Sequence, residues 1–247
     1  MPRSARKKSS SGIYHVILRG INRQQIFEDE EDHDRFLETL FRYKKECEYT
    51  IYAYCLMGNH IHILLKEGKD DLAAVLKRIA GSYAYWYNWK YRRSGHLFQD
   101  RYKSEPVEDD SYFLTVLRYI HQNPIKAGLC NKTDAYKYSS YIDYLGDQHF
   151  VDTEFVFSMI SKDEFLDFHN EDNSDICMEI EEHFRLTDEE AKKIIYKISK
   201  CKTITDFQAL DKTKRNLYIR KLHLQGLSVR QISRLTGVSK KIVEINI

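Results

Sequence analysis

Two histidines one residue apart, His60 and His62, have the types and spacing best suited to chemistry in this 247-residue chain. They lie in YCLMGNHIHILL, where apolar and β-branched runs predict two strands, Tyr49–Met57 and His60–Lys66, joined by a Gly58-Asn59 turn. Residues i and i+2 of a strand project from one face. Both imidazoles therefore point one way, while Ile61, Ile63 and Leu65 enter an apolar layer behind them. Paired imidazoles on a rigid strand are half of a divalent-metal site, although two hydrogen-bonded surface histidines satisfy the same pattern. Tyr119 and Asn123 form a second pair, i and i+4 on a predicted helix and so on one face. The Asn123 amide oxygen could serve as a third ligand, and the Tyr119 phenol would stand one turn away. That combination suits a phosphodiester: a metal polarises a non-bridging oxygen and tyrosine attacks phosphorus. With 18 tyrosines in the chain, Tyr119 could equally be one that packs against a sheet.

The elements that must position these residues follow from periodicity. Ile13–Arg19 reads as a strand, Glu30–Glu48 as a helix, then come the two strands above, a helix at Asp70–Tyr91, a strand at Arg101–Val107 and a helix at Asp109–Gln122. The last is expected to close at Asn123-Pro124, because a residue before proline disfavours the α region. This order predicts an α+β domain, a small antiparallel sheet covered by helices. After about residue 147 only short helices are expected.

Composition narrows the class. Charged residues are 31% and hydrophobic residues 42% of the chain, enough to build a core and too polar for a membrane protein. No apolar run approaches the ~20 residues of a membrane span, and the basic start MPRSARKKSSSG lacks the apolar stretch of a secretory signal. Five cysteines without a CxxC fit a reducing, cytoplasmic location, the bacterial cytosol or nucleoid. The net charge of +2 conceals a segment, residues 150–190, with 14 acids and 2 bases. Basic surface on both sides of it suggests polyanion-binding modules joined by an acidic connector.

Four motifs, YHVILRGINRQQIF, YCLMGNHIHILL, GHLFQDRYKS and LRYIHQNPIKAGL, follow in order across residues 11–145. Together they resemble the IS200-like single-tyrosine transposases of the HUH endonuclease superfamily, in particular the REP-associated tyrosine transposase branch. The resemblance puts His60 and His62 on the family's histidine pair, Tyr119 on its nucleophile and Asn123 on its polar third ligand. It implies a ferredoxin-like sheet carrying the histidines, with the tyrosine on a helix beside it. It further implies Mg²⁺- or Mn²⁺-dependent cleavage of single-stranded DNA near a hairpin, leaving a 5′-phosphotyrosine and a free 3′-OH that allow rejoining without ATP. Monomers and homodimers both fit.

Further residues are candidates for holding DNA. Arg3, Arg6, Lys7 and Lys8 form a basic arm. Arg92, Arg93, Arg101 and Lys103 cluster around a glycine turn, and an exposed Trp89 could stack on unpaired bases. Near the end, Ser228 and Ser239 cap two short helices about Gly237, with Leu227, Ile232, Leu235, Val238 and Ile242 as apolar skeleton. This resembles a helix-turn-helix, with Ser239, Lys240, Lys241 and Glu244 on the recognition helix facing duplex DNA. The expected organisation is a nuclease domain at 1–147, an acidic connector at 148–185 and a helical DNA-binding domain at 186–247. Two rivals stand beside it: a domesticated, non-catalytic DNA-binding regulator, and a zinc hydrolase that completes its ligands with His96 or His121.

Overall fold

Side-chain alternation along the extended segments decides which residues share the face of the histidines. The computed structural model describes residues 6–99, 101–146, 150–171, 177–178 and 188–247. Strands β1 (Ile13–Arg19), β2 (Thr50–Met57), β3 (His60–Lys66) and β4 (Lys103–Pro106) form one antiparallel sheet in the order β2-β3-β1-β4. The β2–β3 hairpin turns on Gly58-Asn59 as expected. Across the strands, His60 pairs with Arg19 and Met57, His62 with Ile17 and Cys55, and His15 with Leu64 and Glu105. Directly paired residues share a face, so His15, Ile17, Arg19, His60, His62, Lys103 and Glu105 line one side of the sheet. Val16, Leu18, Ile61, Ile63 and Leu65 line the other and are buried.

Helices cover both sides. Helix α1 (Glu30–Cys47) starts in a capping box between Asp29 and Asp32, and α2 (Leu72–Lys90) is capped by Asp71. Phe41 of α1 meets Tyr54 on the apolar side, and α1 and α2 lock through Phe36 and Tyr83. On the histidine side lies α3 (Asp110–Lys126), capped by Asp109. It runs through Pro124 instead of closing at Asn123-Pro124. The proline sits in the last turn and removes the hydrogen bond to Ile120 C=O, but only two helical residues follow it, so the helix ends soon after. The end is closed by Ala127 N–H to Asn123 C=O and Gly128 N–H to Ile125 C=O, both 2.9 Å. Pro124 is also buried there, which offsets the preference against an α residue before proline.

The chain divides into two compact units, Met1–Ile180 and Glu181–Ile247. The first therefore extends past the boundary expected at 147. Within the stretch read as an acidic connector, helices α4 (Thr153–Phe157) and α5 (Lys162–Asn170) insert Val156 and Phe165, with Val151 before them, into the core of the first unit. Charge dominated the composition of this stretch, but its few aromatic and aliphatic residues decide where it sits. Residues 148–149, 172–176 and 179–185 of that stretch lie outside the described residues, as does Arg3.

Helix α5 also supplies His169 to a buried histidine pair. His121 Nδ1 lies 2.9 Å from His169 Nε2, His121 Nε2 lies 2.9 Å from Ser140 Oγ, and His169 Nδ1 donates to Phe165 C=O. Burial pushes His121 well below its ordinary value and His169 down to about 4. Unfolded histidine takes up its proton near pH 6.5. Below that the unfolded chain binds protons that the folded one refuses, so stability falls from about pH 6.5 towards pH 4. The His169 shift alone costs about 2 kcal/mol between pH 7 and pH 5. Urea midpoints at the two values should separate accordingly, and coincident midpoints would show that this pair does not stay neutral.

The described residues of the second unit form helices only: α6 (Asp188–Ser199), α7 (Ile204–Gln208), α8 (Lys212–Leu224), α9 (Val229–Thr236) and α10 (Lys240–Ile245). Ser228 and Gln231 form a capping box on α9, Gly237 closes it at φ +70°, and Ser239 caps α10. Leu227, Ile232, Val238 and Val243 fill its core. Val243 takes the core place expected for Ile242, which is exposed. Among the described residues, no helix is long and apolar enough to cross a membrane.

Candidate active site

The sheet brings the two motif histidines together with the motif tyrosine. The rings of His60 and His62 are 5.1 Å apart, and Tyr119, from α3, packs edge-on against His62 at 5.7 Å. His62 is 2% exposed and Tyr119 3%. Asn123 remains helical one turn after Tyr119, and its Nδ2 donates to Tyr119 C=O at 2.9 Å. That hydrogen bond spends the amide's donor on the backbone and leaves Oδ1 as an acceptor. Lys126, one turn further on, holds Nζ 4.7 Å from the centre of the Tyr119 ring.

The sequence reading missed two residues that the fold adds. His15 is fully buried, lies 5.9 Å from the Tyr119 ring, and its Nε2 is 3.0 Å from His62 Nδ1. Its Nδ1 is 2.8 Å from Glu105 Oε1. Glu105 also accepts the Met178 backbone N–H at 3.0 Å and a hydrogen bond from Tyr112. Burial alone would raise the Glu105 pKa, but His15 and these donors hold it below the ordinary carboxylate value. The alternation of YHVILR would have placed His15 on the polar face beside Ile17 and Arg19. Only the register of β4 could have brought Glu105 opposite it.

His60 is held from the turn before it: its Nδ1 lies 2.6 Å from Asn59 Oδ1, and Asn59 Nδ2 donates to Arg23 C=O at 3.3 Å. An oxygen can only accept here, so His60 carries its proton on Nδ1 and keeps Nε2 bare. Burial, reinforced by the charge of Arg19, pushes His60 down to about 4, and burial drives His62 well below its ordinary value. Both imidazoles are neutral at pH 7. Neutral imidazole nitrogens are donors that fit a borderline divalent ion, and an amide oxygen such as Asn123 Oδ1 is of a type that can complete such a set. Among the described residues, no group of three His, Cys, Asp or Glu side chains could hold a metal. His121, offered as the third ligand of a zinc hydrolase, is committed to Ser140 and His169, and His96 is exposed in the turn after α2.

The candidate DNA contacts fall into separate groups. Lys103 sits in the row of Ile17 and His62, on the histidine face. Arg92 and Arg101 are exposed, while Arg93 Nη2 donates to Gln24 Oε1 at 2.9 Å. The turn after α2 is stitched to the end of β1 by Gln99 N–H to Arg19 C=O (2.7 Å) and Ile21 N–H to Leu97 C=O (2.9 Å). Arg6 is anchored on Tyr102, its guanidinium 3.7 Å from the ring centre, while Lys7 and Lys8 are exposed. In the second unit Ser239, Lys240 and Lys241 are exposed, and Lys240 pairs with Glu244 at 3.4 Å.

Comparison with known proteins gives a consistent result. Residues 8–123 match the family described as Transposase IS200 like. A protein of Haemophilus influenzae named "Putative REP-associated tyrosine transposase" is 32% identical over 114 residues, covering 40% of this chain and 64% of that protein. The chain thus matches just under two thirds of that relative's length. Among solved structures, a REP-associated tyrosine transposase bound to a REP hairpin superposes with a TM-score of 0.52 at 16% identity, over 59% of this chain and 86% of that one. At that identity the likeness concerns the fold, which is the α+β transposase fold. Residues 8–123 are thus similar to the IS200-like transposases, the family that the four motifs resemble.

Proposed function

We propose that this IS200-like domain cuts and rejoins single-stranded DNA at hairpins through a covalent bond to Tyr119. The observation that carries this reading is the seating of the Tyr119 ring against His62, beside His60, at one end of the histidine face. His60, His62 and Asn123 would hold a divalent ion such as Mg²⁺ or Mn²⁺. Once bound, that ion supplies Lewis-acid polarisation of a non-bridging phosphate oxygen. The Tyr119 oxygen attacks phosphorus, the bond from phosphorus to the 3′ oxygen breaks, and the phosphate stays on the tyrosine. The departing strand leaves with a 3′-OH, and a 3′-OH attacking the phosphotyrosine reverses the step. A phenol near pKa 10 is about 0.1% ionised at pH 7, so geometry and charge supply most of its activation. Lys126 places a positive charge over the ring face, 4.7 Å from its centre, where it would stabilise negative charge developing on the phenol.

Purified protein, labelled hairpin DNA from the flanks of its own gene and Mn²⁺ should give a labelled band at protein mass on a denaturing gel. Product release with no adduct would instead mean attack by water. DNA binding with no cleavage on any hairpin would favour a regulator.

The strand is read as leaving the histidine face over the turn at Arg92 and Arg93 towards α2, where Tyr85 and Trp89 are 79% and 73% exposed, one helical turn apart. Stacking there is worth ~1–3 kcal/mol per base. Trp89→Ala should therefore weaken binding of an unpaired strand by roughly fivefold or more and remove most of the quenching of intrinsic fluorescence. The chain has only two tryptophans, and the other, Trp86, packs against the core. Unchanged affinity would take the strand elsewhere. For the second unit we assign duplex DNA binding to α9 and α10, with Ser239 and Lys241 at the free face; Lys241→Ala should lower the salt dependence of duplex binding by about one counterion.

A further inference from the structure

Each histidine of the candidate metal pair has one ring nitrogen tied back into the protein, and by a different device. For His60 the device is local, the neighbouring Asn59 oxygen. For His62 it crosses three strands: Glu105 on β4, His15 on β1, His62 on β3.

We propose that Glu105 and His15 are positioning residues that fix His62 in the tautomer that leaves its Nε2 bare, as a metal ligand would require. A carboxylate can only accept, so the proton between Glu105 and His15 sits on His15 Nδ1. With that proton on Nδ1, His15 offers Nε2 to the relay as the acceptor, and the hydrogen bond 3.0 Å away is donated by His62 Nδ1. His62 then has no proton left for Nε2. The orientation is as constrained as the proton. His15 and His62 stack with ring centres 5.2 Å apart at 23°, Tyr119 closes on both rings edge-on, and Glu105 is itself held by Met178 N–H and Tyr112. His15 is fully buried and His62 nearly so, leaving little room for water to replace a lost partner. Outer partners of this kind, a carboxylate behind a ligating imidazole, typically change metal affinity by ~10–100-fold.

The inference rests on the reading of His60 and His62 as metal ligands, and its test separates the two. Nitrogen-15 spectra of the imidazoles in the metal-free protein report the tautomers directly, while calorimetric titration with Mn²⁺ reports affinity. The wild type should show His62 protonated at Nδ1. Glu105→Gln, which keeps the size but can donate as well as accept, should show mixed His62 tautomers and bind Mn²⁺ about tenfold or more weakly. His15→Gln, whose amide oxygen can still accept from His62 Nδ1, should retain more affinity than His15→Phe, which fills the volume without an acceptor. A wild-type His62 protonated at Nε2, the tautomer that an imidazolium at His15 would impose, overturns the inference. So does a Glu105→Gln protein with unchanged spectra and affinity. Wild-type protein that shows the expected tautomer but takes up no Mn²⁺ would sink the metal reading and leave the relay standing as a structural feature.

Discussion

Replacing Tyr119 by phenylalanine should abolish the covalent protein–DNA adduct, by roughly 10⁴-fold or more, while leaving DNA affinity nearly unchanged. The separation is expected because the ring and its oxygen have different tasks. The ring is 3% exposed and packs on His15 and His62 at 5.9 and 5.7 Å, contacts that phenylalanine keeps. Only the oxygen proposed as the nucleophile goes. The measurement is the denaturing gel described above, run beside a binding titration. An adduct that survives at wild-type yield would move the nucleophile to another tyrosine, and Tyr112 would be tested first. Its hydroxyl is engaged with Glu105 and Cys177, and burial raises it above the ordinary phenol value, which makes it a poor nucleophile as it stands.

His60→Ala and His62→Ala should have similar effects on metal and different effects on folding. Removing either imidazole from the proposed three-donor site should weaken Mn²⁺ by about 100-fold or more, beyond the usual loss for an outer partner. The metal-dependent adduct should disappear in both variants. His60 stands at the rim, next to the turn, and its replacement leaves the thermal midpoint within a degree or two. His62 is enclosed by β1, β2 and α3, so its removal opens a cavity and leaves His15 Nε2 without a donor. That combination costs about 2–4 kcal/mol. Calorimetric Mn²⁺ titration and melting curves of the two variants check both halves. Equal Mn²⁺ affinity of wild type and His60→Ala would exclude His60 as a ligand.

The parts of the site carried by local spacing were legible in the sequence. The pair His60 and His62, the Gly58-Asn59 turn and the i, i+4 relation of Tyr119 and Asn123 need no partner to be read. The Ser228 and Ser239 caps are equally local. What escaped depends on long-range placement. His15 and Glu105 meet His62 only through the registers of β1 with β3 and β4, which no single segment encodes. Pro124 reads as a stop, yet tertiary burial and a closed C-terminal turn carry α3 past it. The end of the first unit was misplaced for a related reason: Val156 and Phe165 seat their helices in the core although the stretch around them is acidic.

Strict alternation along β3 has a consequence for how a population of molecules behaves. A slip of β3 by one residue against its neighbours would turn His60 and His62 into the apolar layer and bring Ile61 and Ile63 out beside Tyr119. Such a molecule would keep its strand content and its mass but would have no centre at all. If the proposed chemistry holds, every working copy is a correctly threaded copy, and the titratable fraction of adduct-forming protein is a census of native sheets. In a refolding series that census would count success where circular dichroism, blind to register, would not.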